Sequence, residues 1–159
     1  MIQDTKLRLR LQFLSRVVRR ECFHLAGTDQ RLFDKPFSAE RAKQLDSDPE
    51  QAERVEAFVG RLGRLQDTLG DKLLPLILIA LGETPATMID NLDRAERLDL
   101  IKSTDDWLTM RKLRNQMVHE YVEDPEILSN ALQAGHGYTA TLISTANRML
   151  DELKARGWE

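Results

Sequence analysis

The sequence has little of what most functional classes need. One cysteine, Cys22, stands in 159 residues. It excludes an internal disulfide framework and a cysteine-rich zinc site, and a reducing cytoplasm is the simplest setting. No long apolar run occurs. Leu73 to Leu81 is the greasiest stretch, but it holds Pro75 and is too short to span a bilayer, so no membrane role is expected. The opening Met1-Ile2-Gln3-Asp4 has no signal-peptide pattern. An excess of basic charge is missing as well. With 23 Lys and Arg against 26 Asp and Glu, the formal net charge is −3. That balance argues against a protein that coats nucleic acid generally, but it leaves room for one local basic cleft. Alternating β-type patterning, internal repeats and low-complexity tracts are also lacking. Histidine is scarce, with His24, His119 and His136 its only occurrences.

What is present is helical periodicity. Hydrophobic residues make up 42% and charged residues 31% of the chain, as in a globular protein rich in helix, and the length suits one domain over 1–159. Leu7, Leu11, Leu14, Val18, Cys22 and Leu25 recur at steps of three and four and predict a first helix from about Gln3 to Ala26, ended by Gly27 as its C-cap. Arg8, Arg16, Arg19 and Arg20 lie largely off that stripe, as a solvated face or a phosphate-facing patch. A connector with a short helix near Ser38 to Leu45 follows. The next helix starts at Pro49 with Asp48 as N-cap and carries Ala52, Val55, Val59, Leu62, Leu65 and Leu69. Gly63 inside it allows close approach of another helix. Arg61, Arg64 and Asp67 are spaced for surface salt bridging or for facing one cleft. Leu73 to Leu81 is apolar all round and should be buried, with Pro75 kinking or restarting the helix. Gly82 stops it. Thr84-Pro85 reads as the N-cap and first turn of a short helix with Met88, Ile89, Leu92 and Ala95 inward. Ser103 and Asp106 open a helix carrying Trp107, Met110 and Met117. From Pro125 to about Arg156 the stripe keeps register across Gly135-His136-Gly137, which predicts one long helix. The expected fold is all-α, an up-and-down four-helix bundle with a short extra helix.

One stretch, Arg111 to Tyr121, crowds Arg, Asn, His and Tyr together at the end of its helix. Arg114 and Tyr121 are seven residues apart and share a face. Asn115 and His119 are four apart and share a neighbouring one. On a regular helix Arg114 and His119 are separated by about 140°, so they converge only if the helix loosens or a second copy faces the first. The residue types suit phosphodiester chemistry. Imidazole titrates near neutrality and serves as general acid or base. A guanidinium pairs with phosphate oxygens and stabilises added negative charge. RNA brings its own nucleophile, the 2′-hydroxyl. No metal or other cofactor is implied, because no cluster of His and carboxylate stands at ligand spacing. The plainer reading is that His119 caps its helix and Arg114 pairs with an acid. His24 and His136 have no comparable polar company and are expected to play no catalytic part.

Arg114-Asn115-Gln116-Met117-Val118-His119-Glu120-Tyr121 resembles the signature of the HEPN superfamily (higher eukaryotes and prokaryotes nucleotide-binding), an Arg often followed by Asn, then a short gap and a His. Glu120-Tyr121 resembles the toxin branch paired with minimal nucleotidyltransferases, in which a Tyr stands two residues after the His. The resemblance in sequence detail covers about Trp107 to Pro125. It implies a helical bundle that forms a homodimer, with two motif copies lining one cleft, and in many members a metal-independent endoribonuclease. It implies that Arg114 binds and stabilises the scissile phosphate and that His119 is the general acid or base. Asn115 would orient or bind the RNA substrate. Tyr121 would contact it and receive an adenylyl group from a nucleotidyltransferase antitoxin. Other members are regarded as nucleotide- or substrate-binding subunits, and a helical interaction protein is a blander alternative.

Overall fold

A computed structural model describes residues 4–119 and 123–159, with His119 described by its backbone alone. Every regular element among the described residues is helical. The first helix, α1 (Thr5–Leu32), starts at Asp4, whose carboxylate accepts from the amides of Lys6 and Leu7. Leu11, Leu14, Val18 and Leu25 of its stripe are buried. Gly27 does not end this helix. The chain continues for another turn because Thr28 and Leu32 extend the buried stripe. Burying one Leu side chain is worth about 1.5–3 kcal/mol, more than the roughly 1 kcal/mol that a mid-helix glycine costs.

Ser38 caps a short α2 (Ala39–Gln44), and Asp48 caps α3 (Pro49–Asp67) through the Gln51 amide. All of the expected α3 stripe except Ala52 is buried, together with Phe58. A π-helical segment, Thr68–Leu73, then leads into α4 (Leu74–Ala80), so Pro75 restarts the helix in its first turn. Proline has no N–H and its ring crowds the carbonyl four residues back, and the widened π turn ahead of it accommodates both. Burial of this stretch is one-sided: Leu73, Leu74, Ile77 and Leu78 are inside, whereas Ile79 is exposed. Gly82, at φ +84°, ends the element.

The next start differs from the expected one. Thr84 and Pro85 stay outside the helix, and Thr87 caps α5 (Met88–Arg97) by accepting from the Asp90 amide. The buried Asn91 decides this, because its side chain bonds both the N–H and the carbonyl of Ala86 and folds the preceding loop onto the helix. Leu92 and Ala95 face inward as expected, but Ile89 is exposed. Ser103 caps the first turn of α6 (Thr104–His119) through the Asp106 amide. Asp124 caps α7 (Pro125–Ala155), which runs unbroken through Gly135 and Gly137.

The four long helices make the body. α1 and α6 each pack against both α3 and α7. One contiguous core joins residues of all seven helices, from Leu11 to Trp158. Buried Gln66 of α3 donates to the Trp107 carbonyl at 3.0 Å and fixes α6 on α3. No described helix is long and apolar enough to cross a membrane.

Candidate functional site

The inner face of α6 is set by Trp107, Met110 and Met117, all buried. Arg114 lies seven residues after Trp107 and four after Met110, so it shares that face and turns toward α3. Its side chain is only 14% exposed. Nη1 donates to the Gly63 carbonyl at 2.8 Å and to Asp67 Oδ1 at 2.7 Å. Gly63 permits this seat: a Cβ there would stand 3.0 Å from Arg114 Cδ and 3.1 Å from Nη1. The close approach read from Gly63 is real, and the approaching group is the Arg114 side chain. Nε of Arg114 makes a long contact of 3.4 Å to Asn115 Oδ1, and among the described residues Nη2 carries no hydrogen bond.

Asn115 is exposed beside it, and Val118 is exposed by 59%. These residues form one wall of an open groove of about 560 Å³, whose other wall includes Gly63, Arg64, Asp67 and Lys72. Of the sequence-derived site, the structure therefore brings Arg114 and Asn115 together at one groove. The His119 imidazole and all of Tyr121 lie outside the described residues.

Arg114 pairs with an acid, as the plainer reading expects, and that acid is Asp67. The spacing of Asp67 with Arg61 and Arg64 reads as surface salt bridging or as facing one cleft; Asp67 and Arg64 do share a groove, but the ion pair crosses to Arg114 on α6. Arg61 instead donates to the Thr28 hydroxyl. Arg64 shares the groove with Asp67, and it also borders a smaller depression with Glu21, His24 and Arg61. Burial holds the Glu21 carboxyl above its usual range, opposed by the Thr68 hydroxyl that donates to it at 2.8 Å and by the charges of Arg64 and Lys72. Burial also pushes the Cys22 thiol up to about 11, which disfavours its thiolate.

The other histidines stand apart from Arg114. His136 stacks on Phe33 at 4.2 Å and shares a hydrogen bond of 2.7 Å with Asp29. His24 is exposed on α1, well before that helix ends.

Chemically, the groove offers a guanidinium fixed on one edge by a carbonyl and a carboxylate. Among the described residues nothing pairs with its remaining edge, which can take a second oxyanion, and an amide side chain stands next to it. A guanidinium with a free edge is a group that can hold a phosphate oxygen in a defined orientation. Asp67 offsets part of the Arg114 charge, so the site relies on geometry as much as on net potential. No protein-family model, curated protein or solved structure matches this chain.

Proposed function

We propose that this chain is a HEPN-type endoribonuclease that acts as the toxin of a pair with a nucleotidyltransferase antitoxin. The observation that carries the reading is the seating of Arg114. A guanidinium held by Gly63 and Asp67, with Asn115 beside it, heads the very run of residues that resembles the HEPN signature. In this reading the four long helices form the up-and-down bundle of that superfamily, and two copies associate about a two-fold axis so that both motifs line one cleft. A self-complementary interface is the commonest way to bring two copies of one site together. The exposed Val118 beside the groove gives that interface an apolar contact.

The reaction follows from the groups. Arg114 holds the non-bridging oxygens of the scissile phosphate. The 2′-hydroxyl loses its proton to a base and attacks phosphorus. The bond to the 5′-oxygen breaks, and that oxygen takes a proton from an acid. One product ends in a 2′,3′-cyclic phosphate and the other in a 5′-hydroxyl. His119 serves as the acid or base, and Asn115 orients the ribose or phosphate. Purified protein incubated with single-stranded RNA in EDTA should produce these termini. Cleavage that stops when EDTA is added contradicts the metal-independent route.

A second reading, a non-catalytic nucleotide- or substrate-binding subunit of a nucleotidyltransferase, is favoured by one observation: the Arg114–Asp67 ion pair makes the guanidinium a partly compensated anchor. Incubation with ATP, magnesium and the cognate nucleotidyltransferase separates the two. The toxin reading expects AMP on Tyr121, found by mass spectrometry, together with loss of RNA cleavage. A protein that neither cleaves RNA nor gains AMP fits the subunit.

A further inference from the structure

Helix α1 carries a second face that packing does not use. Leu9, Phe13, Arg16, Arg20 and Phe23 recur at steps of four, three, four and three, and all five are exposed. Phe13 is 46% and Phe23 is 67% open to solvent. Single exposed apolar residues need no explanation, but here the guanidinium groups of Arg16 and Arg20 stand between two exposed rings. The Arg10 and Arg16 guanidinium carbons lie 5.6 and 5.9 Å from the centroid of the Phe13 ring.

The charge is equally lopsided. Seven Lys and Arg stand against two acids in α1, a net of +5 in a chain whose total is −3. Between Asp4 and Asp29 the one acid is Glu21, and its carboxylate is held inward by the Thr68 hydroxyl. Arg19 pairs with Glu159, whereas Arg16 and Arg20 have no acid partner among the described residues.

This face also leads somewhere. Arg16, Arg20, Phe23 and His24 border an open groove of about 950 Å³. His24 also borders the small depression with Arg61 and Arg64, and Arg64 also borders the groove that holds Arg114 and Asn115. Shared residues thus link three depressions into one track from α1 to the motif, in which Arg16, Arg20, Arg61, Arg64, Lys72 and Arg114 outnumber the acids Glu21, Asp67 and Asp71.

We propose that the outer face of α1 is a platform for single-stranded RNA, which runs along this track into the Arg114 groove. Bases stack on Phe13 and Phe23 while phosphates follow Arg16, Arg20 and Arg64. Aromatic rings that take unstacked bases, interleaved with backbone-tracking cations, are what single strands require. A second copy docking on the same face would set Arg16 and Arg20 of one chain against the same cations of the other. An anionic membrane surface favours an apolar face flanked by cations, not a pair of guanidinium groups set between two rings on the same line, and it would have no use for the track to α6. The inference rests on the ribonuclease reading only for its choice of RNA as the polymer.

The test uses the full chain and a fluorescein-labelled single strand of about 12 nucleotides, within the usual site sizes. The strand is made of 2′-O-methyl RNA, so that attack by the 2′-hydroxyl cannot consume it. Fluorescence anisotropy should show binding that weakens with salt. Phe23→Ala should weaken it by about fivefold or more, the lower end of what one base–aromatic stack contributes. Arg16→Ala with Arg20→Ala should lower the slope of log K against log salt by about 1.4, or about 0.7 for each phosphate that is no longer neutralised. All three residues are exposed, so these variants keep the core. Affinity and slope unchanged in both variants overturn the platform. So does a result in which they alter only self-association in sedimentation or only binding to phosphatidylserine vesicles. Binding that depends on Phe23 while unmodified RNA stays uncut keeps the platform and removes the ribonuclease. Cleavage with affinity indifferent to both variants does the reverse.

Discussion

Arg114 shows how one side chain ties two distant parts of the sequence together. Its guanidinium lies over Gly63 because that position has no Cβ, and Asp67, one turn further along α3, completes the seat. Gly63→Ala tests the arrangement. The helix gains up to ~1 kcal/mol in propensity, while Arg114 must shift by a few tenths of an ångström and loosen its hold on the Gly63 carbonyl and Asp67. The expected outcome is a urea midpoint that corresponds to a change within about 1 kcal/mol, with RNA cleavage slowed by about tenfold or more, as a small misplacement of a positioning group does. Unchanged cleavage would show that the seat of Arg114 does not matter. Of the groove, Arg114 and Asn115 were legible in the sequence, because they stand in the run that also carries His119 and Tyr121, which lie outside the described side chains. The partner was not. Asp67 sits at helical spacing from Arg64 and Arg61, and a local pair is the natural reading. The pair that forms spans 47 positions, and only the packing of α6 on α3 creates it.

Helix existence was readable at the scale of elements, and so were ends such as Asp48-Pro49, Gly82 and Asp124-Pro125, but two ends were not. The stripes of α1, α3 and α7 appear in the core much as their spacing predicts, because burial of a periodic face is a summed signal over many residues. An end rests on one or two residues, and there tertiary contacts decide. Gly27 has the chemistry of a stop, yet α1 runs on to bury Leu32. Thr84-Pro85 has the chemistry of a start, yet Asn91 folds that loop back and leaves the cap to Thr87. Thermal or urea unfolding checks both points. Thr87→Ala should cost about 1 kcal/mol, as loss of an N-cap does, whereas Thr84→Ala should fall within about 0.5 kcal/mol of wild type. Gly27→Ala should stabilise by up to ~1 kcal/mol. A Cβ there meets only the flexible guanidinium of Arg31 at 3.2 Å. The reverse order of the two threonines would mean that α5 starts where the sequence pattern suggested.

For the whole molecule, acid stability and assembly are the properties at issue. Near the C-terminal end of α7, Glu152 accepts hydrogen bonds from Arg156 at 2.6 Å and Arg148 at 3.0 Å, which hold its carboxyl below the usual 4.5. A carboxyl with a depressed folded pKa contributes stability in full above its unfolded value and loses it as pH falls through the folded one. Glu152→Gln should therefore cost up to about 1 kcal/mol at pH 7, the upper end for surface pairs. It should cost almost nothing well below the folded pKa, and urea unfolding at the two pH values reads the difference. Assembly bears on the central claim, that Arg114 and His119 act together although some 140° of helix separates them. In the proposed reading, two facing copies would resolve this by letting the Arg of one chain serve the His of the other. The most direct measurement is complementation. Arg114→Ala and His119→Ala proteins, each inactive alone, are mixed, unfolded and refolded together, and assayed on single-stranded RNA. If sites are shared across a two-fold axis, half of the random dimers are mixed and each mixed dimer holds one intact site, so activity returns to about a quarter of wild type. A mixture as inactive as either variant alone, beside a wild type that cleaves, would contradict a shared cleft, and a wild type that never cleaves RNA would contradict the ribonuclease itself.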